Sequence, residues 1–75
     1  MDVIGNFLRE RCDHGAGMSV RARELFKCYQ DWCGENNEHA VNERFFGLRL
    51  KELGLEQRRS NDGRYRQGVQ VKARH

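Results

Sequence analysis

Apolar positions in this chain fall into three stretches of helical spacing, and only after Gly54 does the pattern change to short runs flanking a turn. In residues 2–12, Val3, Ile4, Phe7, Leu8 and Arg11 recur at intervals of three and four, which predicts a short helix with one apolar face. Asp13-His14-Gly15-Ala16-Gly17 reads as a loop on its glycine content, and Met18 to Val20 as a brief extended segment. Residues 21–36 carry the clearest pattern. At roughly 100° per residue, Ala22, Leu25, Phe26, Tyr29, Trp32 and Cys33 fall in an arc about 120° wide, with Arg23, Glu24, Lys27, Gln30 and Asp31 opposite. The start of this helix lacks a convincing cap, while Asn36-Asn37 is a plausible stop because asparagine tolerates the left-handed conformation.

A third helix is predicted over 43–53, with Asn42 as its cap and Gly54 as the left-handed residue just past its end. Phe46, Leu50 and Leu53 form its buried stripe, Phe45 sits at the edge of that stripe, and Arg44, Leu48 and Lys51 project from the other face near Gly47. Glycine in a helix interior costs about 1 kcal/mol relative to alanine. At Gly47 it suits close approach of a DNA backbone or a neighbouring helix. The outward Leu48 suits a thymine methyl or a partner protein, or is one of the isolated surface leucines that carry no meaning. Two strand-like runs, Leu55–Arg59 and Arg64–Val71, then flank Ser60-Asn61-Asp62-Gly63, a tight-turn signal. Val69 and Val71 can pack back onto the helices, and Gly68 marks a bulge or close packing.

The fold class expected from this order is a small α+β winged helix-turn-helix, three helices followed by a two-stranded wing at about 55–71, in one domain spanning 1–75. Its core should hold Phe7, Leu8, Leu25, Phe26, Tyr29, Trp32, Phe46, Leu50 and Leu53. Tyr29 and Trp32 should each keep their polar atom at the core's edge or bonded within it.

Composition is ordinary for a folded domain, 37% apolar and 33% charged, so disorder is disfavoured. The net charge of +3 is mild, but its distribution is not. From Gln57 onward, Arg58, Arg59, Arg64, Arg66, Lys72 and Arg74 face a single acid, Asp62, whereas charges upstream nearly cancel. Positive charge gathered on one element points to an anionic partner, the alternative being a solubilising arginine-rich tail. No apolar run approaches the roughly 20 residues that span a bilayer, and the first residues lack a signal-peptide core, so an intracellular, cytoplasmic protein without membrane contact is expected. The cysteines Cys12, Cys28 and Cys33 have no disulfide-framework spacing.

Candidate chemistry is sparse. Cys12, His14, Cys28, Cys33 and His39 contain no Cys-x-x-Cys pair, and Cys28 and Cys33 lie about 140° apart around a helix, so burial is the better reading than zinc. Ser19 and Ser60 belong to no recognisable nucleophile motif, and there is no phosphate-binding loop, so no enzyme, metal or cofactor is expected. The candidate surface is a DNA-binding one: Arg44, Gly47, Leu48 and Lys51 on the reading helix, with Arg58, Arg59, Arg64 and Arg66 on the wing. The rival is a protein–protein adaptor that meets a replication or host protein through the same surface.

The string FLRERC…VRARELFKCYQDWCGEN…NERFFGLRLKELGLEQRRSNDGRYRQGVQV resembles the C-terminal domain of phage and plasmid primase–helicases, the satellite-phage-type, poxvirus-primase-like replication proteins. The matched positions are Phe7, Leu8 and Cys12, then Leu25, Phe26, Tyr29, Trp32 and Cys33, then Asn42, Phe46, Leu50, Gly54, Gly63, Arg64 and Gly68, within about residues 7–71. Where that family commonly has a glycine this chain has Asn37, and the usual proline of the next loop is absent. The resemblance implies a winged helix that binds double-stranded DNA, origin repeats among its targets. The primase and ATPase motifs of such proteins lie in other domains.

Overall fold

The computed structural model describes residues 2–72, so Met1 and Arg74 of the basic tail lie outside the described residues. The elements run α1 (Val3–Arg11), β1 (Cys12–Arg21), α2 (Ala22–Glu35), α3 (Glu43–Glu52), β2 (Gln57–Ser60) and β3 (Gly63–Val71). The fold is a small α+β arrangement of three helices and one antiparallel sheet of strand order β1-β3-β2.

Each helix begins where its sequence allows. Asp2 caps α1, its Oδ1 accepting from the Gly5 amide at 3.1 Å, and Asn42 caps α3 by accepting from the Phe45 amide at 2.8 Å. The start of α2 has no side-chain cap, because Arg21 occupies that position. Asn37 takes φ 56° and Gly54 φ 88°, so the two residues expected to reverse the chain after α2 and α3 do so.

The sheet differs from the expected two-stranded wing. The β2–β3 hairpin is present but shorter, pairing Gln57–Ser60 with Gly63–Arg66, and a third strand covers the other side of β3. That strand, β1, includes Asp13–Gly17, which reads as a loop in sequence. Cys12–His14 pair with Val69–Val71 and Ser19–Arg21 with Tyr65–Gln67, with a bulge between. Most of β1 is solvent-exposed, so it has no apolar alternation to betray it, and its partner lies some fifty residues away in the chain.

The core forms where the helices meet the sheet. Phe7 is fully buried and packs edge-on to Tyr29, and Tyr29 stacks on Phe46 with ring centroids 4.6 Å apart. Phe7, Leu8, Leu25, Tyr29, Trp32, Phe46 and Leu50 are buried as expected, and Ile4, Cys12, Val20, Cys33 and Val69 join them. The Tyr29 hydroxyl accepts from the Val41 amide at 3.1 Å, and Trp32 Nε1 reaches Glu10 Oε1 at 3.4 Å, so both polar atoms have partners. Phe26 is only partly buried. Leu53 is a correction: it is 40% exposed, and Leu55 at 7% fills the expected place. The helix ends at Glu52, and the left-handed turn at Gly54 swings Leu55 back so that its amide bonds to Leu50 O at 3.0 Å.

Phe46→Ala should lose about 3–5 kcal/mol, enough to unfold a domain of this size. Leu55→Ala should cost about 2–4 kcal/mol and Leu53→Ala under about 1 kcal/mol, a contrast that urea denaturation of the two variants checks directly.

Candidate functional site

Between the start of α2, the outward face of α3 and the β2–β3 hairpin lies an open groove of about 1180 Å³. Of the residues expected to contact DNA, Arg44, Gly47, Leu48, Lys51, Arg64 and Arg66 line it, whereas Arg58 and Arg59 do not. The groove also gathers Arg21, Arg23 and Lys27, which sequence reasoning did not assign. Arg23 and Lys27 stand four apart on the polar face of α2, a visible pair, but nothing local tells which element that face will border. Glu24, Glu43, Glu56 and Asp62 share the lining, so the groove is mixed in sign with basic groups in excess.

The arginines of this chain divide by what they touch. Arg11 pairs with Glu35 at 2.7 Å, Arg21 with Asp62 at 3.2 Å, and Arg49 with Asp2 at 2.7 Å and Glu52 at 3.2 Å. Apart from Arg49–Glu52, which lies within α3, these pairs brace one part of the fold against another, Asp2 tying the capped end of α1 to α3. By contrast, Arg23, Lys27, Arg44, Lys51, Arg58, Arg59 and Arg64 form no ion pair with any described residue. Their charge is left for solvent or for an anion.

Arg66 departs from the wing expectation. It is 7% exposed, and its guanidinium donates to Leu55 O at 2.9 Å and Gly47 O at 3.3 Å. Burial pushes its pKa below the ordinary guanidinium value, with the nearby charge of Glu56 acting in the opposite direction. Arg66 therefore bonds the central strand to α3 and its exit loop instead of reaching outward. Gly47 has the matching explanation: a Cβ there would stand 2.9 Å from Arg66 Nη2. Within the fold, the close approach that glycine allows is that of a guanidinium from the same chain.

The remaining hairpin arginines do not form a single cluster. Arg59 and Arg64 are direct cross-strand partners, whereas Arg58 is opposite Tyr65 and faces the other side of the hairpin. The turn is held by Asp62. Its Oδ1 accepts from Ser60 Oγ at 2.6 Å, and its Oδ2 from Tyr65 Oη at 2.9 Å and Arg21 Nη2 at 3.2 Å. The Arg21 guanidinium carbon also lies 5.6 Å from the Tyr65 ring centroid, within range of a cation–π contact. The hydrogen bonds from Ser60 and Tyr65, then the Arg21 charge, hold the Asp62 carboxyl below the usual carboxylate range.

On α3 the apolar residues of the outer surface are more prominent than expected. Leu48 and Phe45 are each 57% exposed, so Phe45 stands clear of the buried stripe at whose edge the sequence put it. Burial pushes the Cys12 thiol up to about 12 and raises that of Cys33, which keeps both neutral. Among the described residues no three His, Cys, Asp or Glu side chains gather into a metal-holding group, and no helix is long and apolar enough to cross a membrane.

Comparison with known families adds the decisive observation: the model of the poxvirus D5 protein-like family matches residues 1–72. The chain belongs to that family. Membership ties it to primase-like replication proteins of viruses and phages, in agreement with the resemblance read from its aromatic and turn residues. No curated protein matches the chain.

Two outcomes check the packing within this family member. Arg66→Met should destabilise by about 2–3 kcal/mol, because two buried carbonyls lose a charged donor. Gly47→Ala in the wild-type background should forfeit the usual gain of about 1 kcal/mol for alanine over glycine, and recover it when combined with Arg66→Met. Thermal melts of the four proteins in that cycle measure the coupling. Acidification should loosen the hairpin tip. A carboxyl with a depressed folded value stabilises above its ordinary value of 3.8 and loses that contribution as pH falls through the lowered one. Asp62→Asn should abolish that step, seen as loss of the pH dependence of the Ser60 and Gly63 amide shifts below about pH 4.

Proposed function

We propose that this domain is a winged helix that binds double-stranded DNA in phage or plasmid replication, with α3 as the reading helix and the β2–β3 hairpin as the wing. The element order α1-β1-α2-α3-β2-β3 and the sheet order β1-β3-β2 support the architecture. The observation that carries the ligand is the groove flanking α3, where Arg23, Lys27, Arg44, Lys51 and Arg64 all lack a described carboxylate partner. Unpaired guanidinium and ammonium groups on two sides of an exposed helix fit phosphates bordering a major groove. Family membership favours a role at replicating DNA. In this reading the domain works in the cytoplasm of a bacterial or phage-infected cell, and its residues bind without catalysis, metal or cofactor.

The exposed Phe45 and Leu48 favour one rival, an adaptor that meets a replication or host protein through α3. Binding to duplex DNA at two salt concentrations separates the two. A DNA binder loses affinity with salt along a slope set by its phosphate contacts, and an adaptor has no appreciable affinity even at low salt.

Arg44→Ala should weaken binding by about 1–3 kcal/mol at preferred sites if it reads a base, and uniformly across sequences if it touches phosphate. Exchanging Arg59 and Arg64 together for Glu should weaken binding to every duplex and flatten the salt slope. The melting temperature should stay level or rise, because the two cations are direct cross-strand partners whose repulsion is relieved. Normal binding by that variant with a much lower melting temperature would remove the wing from the interface.

A further inference from the structure

Resting on the DNA reading above, we infer that α3 selects duplexes carrying thymines in its contact step, through an apolar strip formed by Phe45 and Leu48. These two are the most exposed large hydrophobic side chains among the described residues, each at 57%. Other large apolar side chains of α3 pack inward, Phe46 and Leu50 almost completely. Phe45 and Leu48 lie three apart, hence neighbouring on the helix surface and about 60° apart around it. Leu48 lines the groove itself, between the cations Arg44 and Lys51 in sequence, and Phe45 stands beside it on the side away from the groove.

The chemistry of that strip names its ligand. Neither side chain can donate or accept a hydrogen bond, so neither can read the polar edge of guanine, cytosine or adenine. Pressed against such an edge, each strips water from base donors and acceptors and offers nothing in return. In the major groove of DNA the apolar group available is the C5 methyl of thymine. The cations around the strip supply the complementary charge: Arg23, Lys27, Arg44, Lys51 and Arg64 line the same groove without described carboxylate partners. An apolar strip that enters a basic groove at Leu48 and borders it at Phe45 thus fits DNA, and specifically thymine-bearing DNA. Duplex RNA fits poorly, since uracil lacks the methyl and the A-form major groove is too deep and narrow for a helix.

The test starts from a pool of random-sequence duplexes, from which bound sites are selected at low salt. The expected sites are enriched in adjacent or near-adjacent thymines over a few base pairs. Replacing those thymines by deoxyuridine removes only methyl groups and should lower affinity about fourfold for each methyl that is buried. Leu48→Ala should bring the thymine-to-deoxyuridine ratio close to one at its own base, and Phe45→Ala should do the same at a neighbouring base. Both side chains lie outside the core, so the melting temperature of each variant should stay near wild type. The salt slope should also persist, because no phosphate contact is lost, whereas Lys51→Gln should lower the slope and keep the ratio. Selected sites without thymine enrichment, equal affinity for thymine and deoxyuridine duplexes, or an undiminished ratio in both alanine variants would each overturn the inference while leaving DNA binding intact. Absence of binding to any duplex at low salt overturns the DNA reading and this inference with it.

Discussion

The buried guanidinium of Arg66 is the interaction on which the arrangement of this domain depends. It sits on the central strand, opposite Val20 of β1 and Gln57 of β2, and reaches the carbonyls of Gly47 and Leu55. A single side chain thus connects the sheet, the middle of α3 and the loop that leaves it. Carbonyl oxygens suit a buried cation of this kind, since they offer partial negative charge without requiring a second desolvated ion. The constraint reaches outward as well. The angle at which α3 presents Arg44, Leu48 and Lys51 follows from where Arg66 holds its backbone, and the helix can come that close only because position 47 has no side chain.

Behind this contact the aromatic cluster supplies the bulk of the burial. Phe7 lies within 6.5 Å, centroid to centroid, of Tyr29, Trp32 and Phe46, so rings from all three helices, two of them from α2, meet at the centre of the domain. Tyr29 also ties down the loop before α3 through the Val41 amide, which sets where the third helix begins. Together the rings fix the helices against one another and the guanidinium fixes the third helix against the sheet. The groove is the space left between those two sets of contacts.

Much of this was legible in the amino-acid order. Helical spacing located all three helices to within a residue or two, and Asn42, Asn37 and Gly54 marked the boundaries they mark in the fold. Local pattern could not show pairing between distant segments. The strand at Cys12–Arg21 is defined by its bonds to β3 and has almost no buried side chains of its own. Nor could composition sort the arginines. Arg58, Arg59, Arg64 and Arg66 look equivalent in sequence, yet alternation along the strands sends Arg58 to one side, pairs Arg59 with Arg64 on the other, and a carbonyl pair draws Arg66 inside. Gly47 and Arg66 are nineteen positions apart, and each is explained only by the other.

The two flanks of the sheet are also of interest for what they discourage. A free strand edge is a template on which another chain can add its own backbone, and a small domain has little bulk with which to hide it. Here the β2 flank is only four residues long and carries Arg58 and Arg59, while the β1 flank is broken by a bulge between His14 and Ser19. Charge blunts one side and irregularity the other. The arginines of β2 therefore act as gatekeepers of solubility whatever else they touch, and their replacement by apolar residues would open this sheet to growth by strand addition.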